Sequence, residues 1–158
     1  MNPISPIEAL PVARWMRESL WAYPCVEIVH IVGFALLVGA VAVFDLRVLG
    51  LRKRLAVTEL AKLTLPWALG ALLLIVPSGL LMFSAHAGDF LGSRVFVLKM
   101  LLLFTAACNA VYFHVGPYQS VDRWDTHRPA PAAAKASAAA SLLLWLGVIS
   151  CGRLLAYF

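Results

Sequence analysis

Glu27 and His30 stand three residues apart in a run that is otherwise apolar. On a helix that spacing puts both on one face. Lys99 sits in a second apolar run. A carboxylate and an ammonium buried at similar depth are expected to pair, because an unpaired charge there is costly. The pattern therefore predicts a polar site built by Glu27, His30 and Lys99. The plainer alternative is a structural ion pair that fixes helix register, with His30 hydrogen-bonded to it.

Imidazole also binds metals and haem. A bis-histidine haem b needs two inward histidines at similar depth on different helices. His30 and His86 are the pair near one surface, offset by about two turns, and Pro77 offers a kink between them. No C-x-x-C-H occurs, which excludes a covalently attached haem. Copper is the other cofactor expected. Soft donors suit it, and Cys25, His30, Met82, His86, Met100 and Cys151 gather on one side. Met82 and His86 are four apart and share a face. Met and Cys are equally ordinary packing residues, so a cofactor-free protein is the alternative. A Cys25–Cys151 disulfide stays open.

A further polar group lies at the other end of the first apolar run. Asp45 follows Glu27 by 18 residues, about five turns, so it shares that face. With Arg47, Asn109 and His114 it is expected to close the inner end, its charges snorkelling to the headgroups. Nothing polar bridges the middle of that face, so a continuous proton path is not expected.

The elements that must position these residues follow from composition. Of 158 residues, 62% are apolar and 13% charged. A soluble domain averages about 45–50% and about 25%. The excess indicates a single-domain integral membrane protein. It excludes a secreted disulfide scaffold, a disordered chain and a nucleic-acid partner. The net charge of +5 sits at the edges of apolar runs, as membrane topology requires.

Runs long enough to cross a bilayer cover residues 26–44, 63–83, 96–113 and 138–158. The expected fold is all-α: an antiparallel four-helix transmembrane bundle. Residues 6–23 precede it as an amphipathic interfacial helix. Val12, Trp15, Met16, Ser19, Leu20 and Tyr23 lie on its apolar side, with Arg14, Arg17 and Glu18 opposite. Pro24 sits at the entrance to the first span. Arg47, Arg52, Lys53, Arg54, Lys62, Arg123, Arg128 and Lys135 lie on one side of the spans. Arg14, Arg17, Arg94 and Arg153 lie on the other. That asymmetry puts both termini outside, in the periplasm of a bacterial inner membrane. Residues 116–131 read as a loop, and the alanine-rich run from Ala130 as the start of helix four. Its alanines, with Gly33 and Gly39, suit close packing inward or against a second copy.

Other chemistry is absent. There is no phosphate-binding glycine loop, nucleophile elbow or H-E-x-x-H. Glu-x-x-His occurs once, whereas di-iron bundles use it twice with further carboxylates. Nothing here points to an enzyme. No internal repeat supports the inverted-repeat design of many transporters.

The chain resembles an uncharacterised family of small bacterial four-span membrane proteins, a domain of unknown function. The resemblance rests on Trp21, Tyr23, Pro24, Glu27, His30, Gly33 and Gly39, then on Phe44-Asp45-Leu46-Arg47 with Leu49-Gly50. It continues through Leu65-Pro66-Trp67, Pro77-Ser78-Gly79, Phe83, Phe96, Lys99 and Asn109-Ala110. More loosely, the layout is similar to CopD-like copper-resistance membrane proteins and to four-helix b-type cytochromes. Those carry an early histidine near the outer face, a place His30 holds here. Their full haem-ligand sets are not matched.

Three functions are therefore expected, in this order. The first is metal or haem handling at the periplasmic side, for electron transfer or copper handling, with His30, Glu27, Lys99, His86 and Met82. The second is a cofactor-free structural or accessory subunit of a larger membrane complex or homo-oligomer. The third is a proton-coupled small-solute carrier.

Overall fold

Each apolar run forms a helix, and three of the four carry on past the end of the apolar stretch. The computed structural model describes residues 6–155 and Tyr157. Its helices are α1 (Pro11–Glu18), α2 (Ala22–Leu49), α3 (Val57–Ala85), α4 (Ala87–Gly92), α5 (Arg94–Val115) and α6 (Ala132–Leu154), with a 3-10 helix over Pro117–Arg123 before α6. No strand occurs among the described residues. α2, α3, α5 and α6 are long and apolar enough to cross a membrane. All four start earlier than expected, and three end later, because polar residues such as Arg47 continue the helical turn. Ala156 and Phe158, assigned to the fourth span, lie outside the described residues.

The extra turns have identifiable stops. At the end of α2, Gly50 adopts φ +120°, and Gly50 and Leu51 donate to the carbonyls of Arg47 and Leu46. This is the paired-bond helix stop that glycine permits. Pro24 falls in the first turn of α2, where its missing N–H costs nothing. Pro66 and Pro77 lie inside α3, which continues through both.

α2 packs along α3 and along α6, and α5 packs along α6. Among the described residues α3 and α5 do not pack along one another. Their gap is bridged at one end by stacked rings. Phe83 of α3, Phe90 of α4 and Phe96 of α5 have centroids 5.2 to 6.3 Å apart. α4 itself was not anticipated.

Small residues set the close contacts. A Cβ on Gly33 would stand 3.0 Å from Ile75 and from Leu74 of α3. Gly39, expected to serve the same purpose, faces open space. On α6, Ala134 and Ala138 are buried, as the alanine-rich run implied.

The amphipathic segment is shorter than expected, and its docking face is narrower. Ala13 and Met16 are buried, whereas Trp15, Leu20 and Trp21 are exposed. Arg17, exposed on the polar side, donates to the carbonyls of Ala85 (3.0 Å) and Glu8 (2.7 Å). A cation on the last carbonyl of α3 complements that helix end.

The opposite end is closed by a clasp between two loops. The Arg47 guanidinium, 3% exposed, donates to the carbonyls of Leu55, Lys53 and Asp125. The Asp125 carboxylate accepts from Thr58 N (2.8 Å) and Thr58 Oγ1 (3.0 Å), which caps the start of α3. His127 N donates to Lys53 O. Beneath the clasp, Val48, Val57, Phe113, Val121 and Trp124 form an apolar layer.

Candidate functional site

The expected site around His30 does not assemble as predicted. His30 Nδ1 lies 3.0 Å from Ser78 Oγ on α3, and Ser78 in turn donates to the Leu74 and Ile75 carbonyls. The ring rests on Gly79, where an added Cβ would meet its Cε1 at 3.2 Å. Phe34 neighbours the ring on α2. Glu27 is exposed on the outer face of α2. Lys99 reaches α6 instead, with Nζ 3.9 Å from where a Gly152 Cβ would stand and Cys151 nearby. The ion pairs among the described residues are Lys62–Glu59 and His86–Asp89, so Glu27 and Lys99 do not pair.

The two histidines do not meet. His86 caps the end of α3, with Tyr23 edge-on to its ring and Asp89 at 3.7 Å. His30 bonds to Ser78, which lies about 12 Å before His86 along the rise of α3. Both ligands of one haem iron sit within about 4–5 Å of each other, so this offset separates them. Met82 packs with Met16, Ala22 and Ala85 in an apolar cluster. Among the described residues no three of His, Cys, Asp and Glu converge as metal ligands. Cys25 is exposed, Cys151 is buried, and both are free thiols.

The other end holds more. Asp45, expected to snorkel, is 6% exposed, and its Oδ2 makes no hydrogen bond. It lies within α2, which continues past it to Leu49. Ser141 of α6 interacts with its carboxyl. Asp45 lines a cavity of about 130 Å³ to which all four long helices contribute. By helical rise the lining residues of α2 and α6 lie roughly 6 to 14 Å in from the loop-side ends of those helices.

Its polar wall is ordered. Asn109 of α5 and Ser137 of α6 form a reciprocal pair. Asn109 Nδ2 donates to Ser137 O (3.0 Å), and Ser137 Oγ donates to Asn109 Oδ1 (2.9 Å). Thr64 of α3 donates to Leu60 O (2.9 Å). His114 Nδ1 lies 2.8 Å from Ala110 O. Because a carbonyl only accepts, Nδ1 carries a hydrogen. Tyr118 covers the loop side, and burial, then the Asp125 carboxylate, push its phenol above the ordinary range. Phe44 and Phe113 meet edge to face at 5.6 Å in the same wall.

The mouth can be located from exposure. Lining residues of α2 and α6 are buried or half-buried, whereas Leu65 of α3 and Ala110 and His114 of α5 are exposed. The cavity therefore opens sideways, through the gap that α3 and α5 leave.

Asp45, Asn109 and His114 line one cavity, and Arg47 does not join them. It belongs to the clasp. The sequence reading missed Thr64, Tyr118, Ser137 and Ser141. Ser137 and Ser141 carried a signal, since their i, i+4 spacing sets two hydroxyls on one face of an alanine-rich helix.

Residues 21–158 match the model of a family of unknown function, DUF6644, and the chain belongs to that family. The match takes in all four long helices and the whole cavity, and leaves α1 outside. No curated protein and no solved structure matches the chain.

Proposed function

We propose that this chain is a bacterial inner-membrane protein, an antiparallel bundle of four spans with periplasmic termini, that works as a proton-coupled carrier of a small polar solute. The carrying observation is Asp45, almost wholly buried on the wall of a cavity that opens sideways between two helices, with its carboxylate Oδ2 lacking a hydrogen-bond partner. A charge in such surroundings needs a proton or a bound counter-charge. The two compete for the same oxygen, so loading one releases the other. That competition is the least machinery that couples a solute to a proton. His114 and Tyr118 are the other titratable groups on the cavity wall.

Two features support the placement. The loop end carries Arg52, Lys53, Arg54, Arg123 and Arg128, which suits the cytoplasmic side. At the other end the exposed Trp15, Leu20 and Trp21 suit a headgroup layer.

The test is proton flux in liposomes holding the full chain and an internal pH dye. Gradients of alkylammonium salts, amino acids, polyols and carboxylates are imposed in turn, with protein-free vesicles as the baseline. At least one class is expected to drive flux that Asp45→Asn abolishes. Flux with no class, or equal flux in the variant, overturns the reading.

A further inference from the structure

From the hydrogen-bond inventory of the cavity we infer that its solute is a small primary ammonium ion, a protonated amine with a short apolar tail. The inference rests on the carrier reading and names the substrate class of the same site.

The wall has already used most of its hydrogens. Thr64 gives its hydroxyl hydrogen to Leu60 O, and Ser137 gives its own to Asn109 Oδ1. Asn109 spends one amide hydrogen on Ser137 O, and His114 spends Nδ1–H on Ala110 O. What remains is mainly lone pairs: those of the Asp45 carboxylate, whose Oδ2 has no hydrogen-bond partner, of Thr64 Oγ1 and Ser137 Oγ and, in the neutral ring, of His114 Nε2. The Ser141 hydroxyl is taken up by the Asp45 carboxyl, and the donors left over are the second Asn109 amide hydrogen and the Tyr118 hydroxyl. An acceptor-rich wall takes a ligand rich in N–H donors, and an anion would meet the wrong complement.

Charge and shape narrow the class. Asp45 is the one carboxylate on the wall, so it balances one positive charge. No group of three His, Cys, Asp or Glu forms among the described residues, as a divalent ion would favour. Around the polar patch the wall is apolar, with Ala40, Val41, Phe44, Leu65, Ala68 and Phe113. An ammonium head on Asp45 with a two- or three-carbon tail on that apolar wall meets both parts.

The probe is ethylammonium chloride, added to the full chain in mild detergent while thermal unfolding is followed. A saturable rise in melting temperature of about 2–4 °C is expected. Asp45→Asn should remove it. Thr64→Val removes a single acceptor and should raise the half-saturating concentration several-fold, so the inference stays testable if Asp45→Asn does not fold. Potassium chloride, tetramethylammonium chloride and sodium acetate should each give no such rise. An equal rise with potassium would assign an alkali cation instead, and an equal rise with tetramethylammonium would show that N–H donors are not read. Either result overturns the ammonium assignment. An ethylammonium effect that survives in Asp45→Asn also overturns it. If polyols or amino acids drive Asp45-dependent proton flux while ethylammonium gives no rise, the substrate class falls and the carrier stands. If neither assay responds, both fall.

Discussion

His30 on α2 and Ser78 on α3 hold one another at 3.0 Å across the interface of their helices. Ser78 sends its own hydrogen back to the Leu74 and Ile75 carbonyls, so the ring is the donor, from Nδ1. The bond fixes the imidazole tautomer and the register of the two helices together. Interhelical polar pairs in membranes average about 0.6 kcal/mol and reach about 1.7 kcal/mol. A double-mutant cycle with His30→Leu and Ser78→Ala, read by unfolding in mixed detergent, is expected to give a coupling in that range. Coupling indistinguishable from zero would mean the pair does not hold the interface.

Two glycines on the same helix should behave oppositely. Gly33→Ala places a methyl 3.0 Å from Ile75 and Leu74 and 3.3 Å from the Ala71 carbonyl. Overpacking of that kind costs about 1–3 kcal/mol. Gly39→Ala meets nothing within 4 Å and gains helix propensity. Its melting temperature should be unchanged or raised. A Gly39→Ala variant that melts as low as Gly33→Ala would show that a partner covers that face.

The clasp is expected to be the most sensitive place outside the cavity. Arg47→Met strands three carbonyls, those of Leu55, Lys53 and Asp125. Each lost charge-assisted bond costs about 1.5–3 kcal/mol. Arg47→Lys should recover little, since an ammonium lacks the planar fork. Limited proteolysis reads the effect directly. Cleavage within residues 50–56 and 124–131 should rise in both variants and stay low in the wild type. Asp125→Ala, which removes the cap on Thr58, should cost about 1 kcal/mol.

Tyr118 supplies a pH-dependent test. Burial first, and the Asp125 carboxylate second, raise its phenol above the ordinary value of 10.0. Both folded and unfolded chains hold the proton below that value, and stability is whole there. As pH rises towards the folded value the unfolded chain ionises first, and stability is lost. Tyr118→Phe removes this contribution. Its melting temperature should fall less steeply than that of the wild type between about pH 9 and pH 11. Parallel slopes would sink the prediction.

The four spans were legible because an apolar run of that length has one use in a chain this hydrophobic. Their ends were not, because helix continues wherever a cap can be found, and the Gly50 stop and the Asp125 cap lie beyond the apolar pattern. Asp45, Asn109 and His114 were legible as one inner-end cluster from type and depth. That Asp45 is buried was not, since burial depends on side chains of α3, α5 and α6 far along the chain, Ser141 among them. The partners of His30 and Lys99 were misread for a related reason. Equal depth does not fix rotation about the helix axis, and rotation sent Glu27 outward and Lys99 towards Gly152. Ser137 and Ser141 hid among alanines, where a hydroxyl reads as one more small side chain.

The clasp also sets an order of events during synthesis. Arg47, Lys53 and Leu55 are joined to the chain long before Asp125, the acceptor that completes their clasp. Until then the guanidinium lacks one of its three carbonyls and α3 lacks its cap. The first helical hairpin therefore lacks that closure at its loop end until the second hairpin supplies it. A chain stopped before residue 125 should accumulate in that open form, a natural substrate for membrane quality-control proteases.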